Sequence, residues 1–140
     1  VYSYLVLIDG YNLINQLSGL VRASSKSIDF ARDQLLAMVE AYCDYNHAEG
    51  IIVYDGNQPK QTIQGHNPVI MFSKAGETAD TVIESLVYKL DDRQRARVVT
   101  DDRQILNMIM GMGAFTMSTS AFELEVRVAI DAIRREIEDA

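Results

Sequence analysis

Six acidic residues stand where short apolar runs end or where a helical pattern begins. Asp9 follows the run 4–8, Asp55 follows 51–54, and the pair Asp101 and Asp102 follows 98–100. Glu77 and Asp80 open a helical period shortly after the run 69–72. Gathered carboxylates raise one another's pKa values, and a bound cation removes that conflict. The available donors are oxygens, because Cys43 is the one cysteine and His47 and His66 stand apart. Zinc and other ions that favour sulfur or imidazole are therefore poor matches. Mg²⁺ or Mn²⁺ fits, since it is held by few carboxylates and keeps waters. One or two such ions can activate water and offset charge on a phosphodiester. A plainer account exists at each position. Asp before Gly is a turn former, and an acid in a first helical turn complements the helix dipole. Asn12 is suited either to orienting Asp9 or a water, or to a turn. Thr100 is suited to donating to a neighbouring carboxylate, or to being an ordinary strand-end residue.

The elements that would position these side chains follow from periodicity. The runs 4–8, 51–54, 69–72 and 98–100, with a weaker one at 115–117, are short and continuously apolar. That pattern fits strands buried on both faces. Helical periods lie between them. One runs through Ile28, Ala31, Leu35, Val39 and Tyr42 with Ser27 as its N-cap. A second runs from Ala79 to Leu90 after Thr78, and a third from Ile105 to Met112 before Gly113. A capping box at 120–123 predicts the start of a final helix with Phe122, Val126, Ala129, Ile130, Ile133 and Ile137 inward. The order β-α-β-β-α-β-α-β-α predicts a three-layer α/β/α sandwich with a mainly parallel sheet of about five strands. Ligands of open α/β sheets bind beyond the carboxyl ends of the strands. All six acids can reach that edge.

Length, charge and absent motifs narrow the field. The 140 residues predict a single domain, 1–140. The 13 basic and 20 acidic side chains give a net charge of −7, which disfavours a non-specific polyanion binder held by bulk charge. Setting aside Asp9, Asp55, Glu77, Asp80, Asp101 and Asp102 leaves 14 acids against those 13 bases, so a nearly neutral protein with one cation site is an equal description. With one cysteine there is no internal disulfide framework, and no disulfide-linked partner is expected. Cys43 reads as an inert apolar residue. No run is long enough to span a bilayer and no signal-peptide pattern opens the chain, so a cytoplasmic protein without a membrane partner is expected. There is no Walker-type phosphate loop, no G-x-G-x-x-G after a strand and no G-x-S-x-G elbow, which disfavours kinase, dehydrogenase and serine-hydrolase readings.

The block 7–14, Leu-Ile-Asp-Gly-Tyr-Asn-Leu-Ile, resembles the opening signature of NYN domains, part of the PIN-like nuclease superfamily. The YacP-like branch is singled out by 30–35 (Phe-Ala-Arg-Asp-Gln-Leu), by 53–56 (Val-Tyr-Asp-Gly), by 72–80 (Phe-Ser-Lys-Ala-Gly-Glu-Thr-Ala-Asp) and by 98–102 followed by Gly113 and Ala114. The resemblance covers nearly the whole chain. It implies a PIN-like fold and a metal-dependent endoribonuclease that acts on mRNA in association with the ribosome. By position it implies Asp9, Asp80 and Asp102 as metal-binding acids, with Asn12 supporting Asp9, and Asp55 and Glu77 outside them or at a second metal. The family usually carries Ser or Asn where Asp101 stands, so either member of the pair 101–102 could face the ion. The loop 56–68 and the end of the chain are less basic than the family's pattern.

A nuclease also needs cationic contacts to phosphate. Lys60, Lys74 and Arg103 are the expected substrate-binding residues, because they follow strand ends. Arg22 and Lys26, read as lying in a loop before the long helix at 28, could also reach the edge. Arg93, Arg95 and Arg97 precede a strand and belong at the opposite edge. Tyr11 is suited to stacking on a base or to packing. Two other readings compete. One is a non-catalytic RNA- or ribosome-binding module on a nuclease-derived fold, favoured by the acidic pI. The other is a different metal-dependent phosphotransfer enzyme such as a phosphatase.

Overall fold

The five apolar runs pair side by side, and all four pairings are parallel. The computed structural model describes residues 1–56 and 66–140. Its strands are β1 (Leu5–Asp9), β2 (Glu49–Tyr54), β3 (Val69–Phe72), β4 (Ala96–Val99) and β5 (Phe115–Met117), in the sheet order β3-β2-β1-β4-β5. Leu7 of the central strand sits opposite Ile51 on one side and Val98 on the other. Parallel pairing throughout puts every carboxyl end on one edge.

Strand side chains alternate between two cores, as the period of two requires. Val6, Ile8, Ile52 and Val99 pack under α1 (Gly10–Gln16), α2 (Ser18–Lys26), α3 (Ile28–Asn46) and α6 (Thr119–Asp139). Leu7, Val53 and Val98 pack under α4 (Ala79–Tyr88) and α5 (Arg103–Gly111). The three-layer α/β/α sandwich with a five-stranded parallel sheet is therefore the architecture. Cys43 is buried in the first core and free, and burial pushes its thiol up to about 12, which suits an inert residue. Among the described residues no helix is long and apolar enough to cross a membrane.

Ser27 caps α3 by accepting from the Phe30 N–H, and Thr78 caps α4 by accepting from the Thr81 N–H, both as expected. Three expectations need correction. Residues 10–26 form two short helices, so Arg22 and Lys26 lie on α2 rather than in a loop. Leu13, Leu17, Leu20 and Ala23 are buried at helical spacing and hold both helices to the core. The last helix starts earlier than the 120–123 pattern suggested. Ser118 is its cap, accepting from the Ala121 N–H at 3.1 Å. Its inward stripe also runs off the core, leaving Ile130 and Ile137 exposed.

Candidate functional site at the carboxyl edge of the sheet

β1 ends in Asp9, which lies beside the end of β4 because Ile8 pairs with Val99. Asp9 is buried, and its Oδ2 accepts from the Thr100 hydroxyl at 2.9 Å. Burial drives the Asp9 carboxyl up to about 6, the Thr100 hydrogen bond opposes this, and the charges of Asp80 and Asp102 raise it further. Asp80 lies in the first turn of α4 and is also raised, by partial burial first and then by Asp102 and Asp55. Asp9, Asp55, Asp80 and Asp102 thus form one electrostatic group. They come from the ends of β1 and β2 and the starts of α4 and α5.

The remaining two acids, Asp101 and Glu77, hydrogen-bond to backbone and to Thr119. Both Asp101 oxygens accept from Thr119, Oδ1 from its backbone N–H at 2.9 Å and Oδ2 from its hydroxyl at 2.6 Å. This ties the end of β4 to the start of α6. Glu77 bends back to accept from the Lys74 N–H at 2.8 Å, closing a turn in which Gly76 takes a φ of +84°. Asp102 Oδ1 caps α5, accepting from the N–H groups of Gln104 and Ile105 at 2.9 and 3.3 Å. Among the described residues no three His, Cys, Asp or Glu side chains converge tightly enough to hold a metal ion as they stand.

Of the two roles open to Asn12, its side chain takes one at a turn. Its Oδ1 accepts from the Asp101 backbone N–H at 2.8 Å, locking α1 to the β4–α5 turn. The Asn12 backbone, not its side chain, opposes the rise at Asp9. Lys74 and Arg103 are exposed and form no ion pair among the described residues. Lys60 lies outside the described residues. Arg93 and Arg95 sit in a 3₁₀ turn ahead of β4, at the opposite edge, as expected.

Three residues were not singled out by the sequence. Ser73, buried just past β3, donates to Asp55 Oδ1 at 3.1 Å and accepts from the Gly56 N–H at 3.0 Å. It does for β2 and Asp55 what Thr100 does for β1 and Asp9. A hydroxyl immediately after a strand, one strand over from an acid, was the available signal. Thr119 had none, because its partner Asp101 is 18 residues away. The third is Arg32, whose guanidinium lies over the rings of Tyr11, Tyr54 and Phe72 at 5.6, 5.5 and 5.5 Å.

The fold is nuclease-like, of the kind NYN domains have. The chain belongs to the YacP-like NYN domain family, whose model matches residues 6–140. It is 33% identical over 139 residues to "Uncharacterized protein YacP" of Bacillus subtilis (strain 168), covering 95% of this chain and 81% of that one. A crystal structure of Rae1 (YacP) from Bacillus subtilis superposes with a TM-score of 0.82 at 30% identity, covering 96% of this chain and 80% of that one. A point mutant of the same protein gives 0.82 at 28% identity, covering 96% and 81%.

Proposed function

We propose that this protein is an Mg²⁺- or Mn²⁺-dependent endoribonuclease that hydrolyses RNA phosphodiester bonds at the carboxyl edge of its sheet. One observation carries the reading: Asp9 is buried where β1 ends beside β4, with Asp80 and Asp102 at the helix starts near enough for their charges to help raise its carboxyl. Such a group suits a hard divalent cation, since every donor is an oxygen and no ion pair among the described residues offsets the repulsion. Asp9, Asp80 and Asp102 would hold the ion, with Asp55 beside Asp80. The side chains must close inward to do so, and Asp102 keeps Oδ2 for the purpose while Oδ1 caps α5. Bound there, the ion would supply charge to the scissile phosphate and lower the pKa of a water.

The chain's own residues do the positioning. Thr100 fixes the Asp9 carboxylate, Ser73 fixes Asp55, and Asn12 fixes the turn that carries Asp102. Lys74 and Arg103 stand exposed at the same edge to meet phosphate. The family resemblance puts mRNA engaged with the ribosome forward as the setting, and cleavage of ribosome-bound against free mRNA tests that part.

The deciding experiment uses a labelled RNA and the purified chain. Cleavage should require Mn²⁺ or Mg²⁺ and fall at least ~100-fold in Asp80→Asn, which removes charge from the group without emptying the site. Full cleavage in chelator, or in Asp80→Asn and Asp9→Asn alike, sinks the proposal. A second reading, a non-catalytic RNA- or ribosome-binding module, is favoured by the absence of three tightly converged acids among the described residues. It requires RNA binding without divalent-dependent cleavage.

A further inference from the structure

Arg32 lies in the second turn of α3, at the acidic edge but on the face of the sheet opposite α4 and α5. Each ring that surrounds it stands next to that edge: Tyr11 follows Asp9 by two residues, Tyr54 precedes Asp55, and Phe72 precedes Ser73. The Arg32 side chain is only 19% exposed, yet its hydrogen bonding is incomplete. One terminal nitrogen donates to the Tyr11 hydroxyl, and the other donates at 3.2 Å to Asp29, whose side chain is 84% exposed. Among the described residues the buried Nε has no partner, and neither has the buried Tyr54 hydroxyl beside it. A buried guanidinium ordinarily needs a close anion and filled donors. Among the described residues its one ion pair is with a solvated carboxylate one helical turn away, which contributes little. The aromatic faces hold the cation flat and in place, while part of its donor fork stays uncommitted.

We propose that Arg32 is an RNA-phosphate clamp, binding a phosphodiester beside the scissile one after Asp29 gives way. This rests on the reading of the protein as a nuclease, because it takes RNA to be the ligand. A strand crossing the edge meets the acids on the α4 and α5 side and Arg32 on the α3 side. A planar fork suits a phosphate's paired oxygens where an ammonium does not. Asp29 holds the guanidinium in the free protein and competes with the phosphate for it.

The test is binding of a fluorescein-labelled single-stranded RNA, followed by anisotropy in chelator at several salt concentrations. Arg32→Gln should weaken binding ~5- to 10-fold at low salt and reduce the slope of log K against log salt by ~0.7, one phosphate's share. Arg32→Lys should keep the slope and lose part of the affinity, because charge stays and the fork goes. Asp29→Asn should tighten binding ~2-fold or more. If Arg32 only packs the rings, Arg32→Gln lowers the melting temperature and leaves the slope alone, which overturns the proposal. Should Arg32→Gln fail to fold, Asp29→Asn decides: unchanged or weaker binding overturns it. Cleavage in Mn²⁺ is read separately. An Arg32-dependent slope without cleavage keeps the clamp and removes the nuclease. Cleavage with an unaltered slope does the reverse.

Discussion

At the scale of single residues, the conflict at Asp9 has a measurable cost. The folded protein holds the Asp9 proton up to about pH 6, whereas an unfolded chain releases it near 3.8. Between those values the folded state binds the extra proton, so its stability falls as pH rises through that window. The full cost, about 3 kcal/mol, is present at pH 7 when no cation is bound. Asp9→Asn keeps an acceptor for Thr100 and removes the charge. In chelator it should therefore raise stability at pH 7 by ~1–3 kcal/mol, with the gain gone below pH 4. Urea melts across pH check this, and a variant less stable than wild type at pH 7 contradicts it. The pair 101–102 separates in the same way. Asp101 serves Thr119, so Asp101→Asn should cost ~1–2 kcal/mol of stability and leave Mn²⁺ affinity within about two-fold. Calorimetry distinguishes it from Asp102→Asn, which should lose most of that affinity.

At the scale of elements, the acidic edge was legible because parallel strands end together and each strong run ends near an acid. The division of labour among those acids was not legible. It depends on Thr119 and Ser73, which meet Asp101 and Asp55 across 18 residues of chain. The long helices could be read because their apolar residues repeat over several turns. α1 and α2 span only Gly10–Gln16 and Ser18–Lys26, and serine and asparagine in them favour turns as readily as helices. Their apolar spacing, Leu13 to Leu17 to Leu20, is the helical signal they carry. The stripe of α6 outruns the core at its far end, because periodicity reports a face and not how far the core extends beneath it. Gly10 shows why the Asp-Gly-Tyr-Asn block has the form it has. Any side chain there would run into the Tyr54 ring, which supports the Arg32 cage. Gly10→Ala should cost ~1–3 kcal/mol and shift the near-ultraviolet circular dichroism of the tyrosines. An unperturbed spectrum with unchanged stability would show that the ring is free to move aside.

At the scale of the whole molecule, the net charge of −7 has to be reconciled with the polyanionic substrate proposed for it. Asp9, Asp55, Asp80 and Asp102 account for four of the 20 acids, leaving 16 against 13 bases. Without a cation, the carboxyl edge should repel the phosphate that the proposed reaction brings there. With one bound, repulsion should become attraction at the proposed cleavage site, while the rest of the surface stays weakly acidic. Divalent ions should therefore act on folding and on RNA affinity together. At 100 times its Kd an ion adds about 2.7 kcal/mol to the folded state, which for a domain of this size is a melting shift of roughly 8 °C. Ca²⁺, which offers charge with less demand on geometry, should tighten RNA binding several-fold relative to chelator. Both effects should be nearly absent in Asp80→Asn. Thermal melts and anisotropy on the same samples test the coupling. A melting shift without any gain in RNA affinity would place the ion away from the RNA path, and an affinity gain that survives Asp80→Asn would assign it to bulk screening instead of this edge.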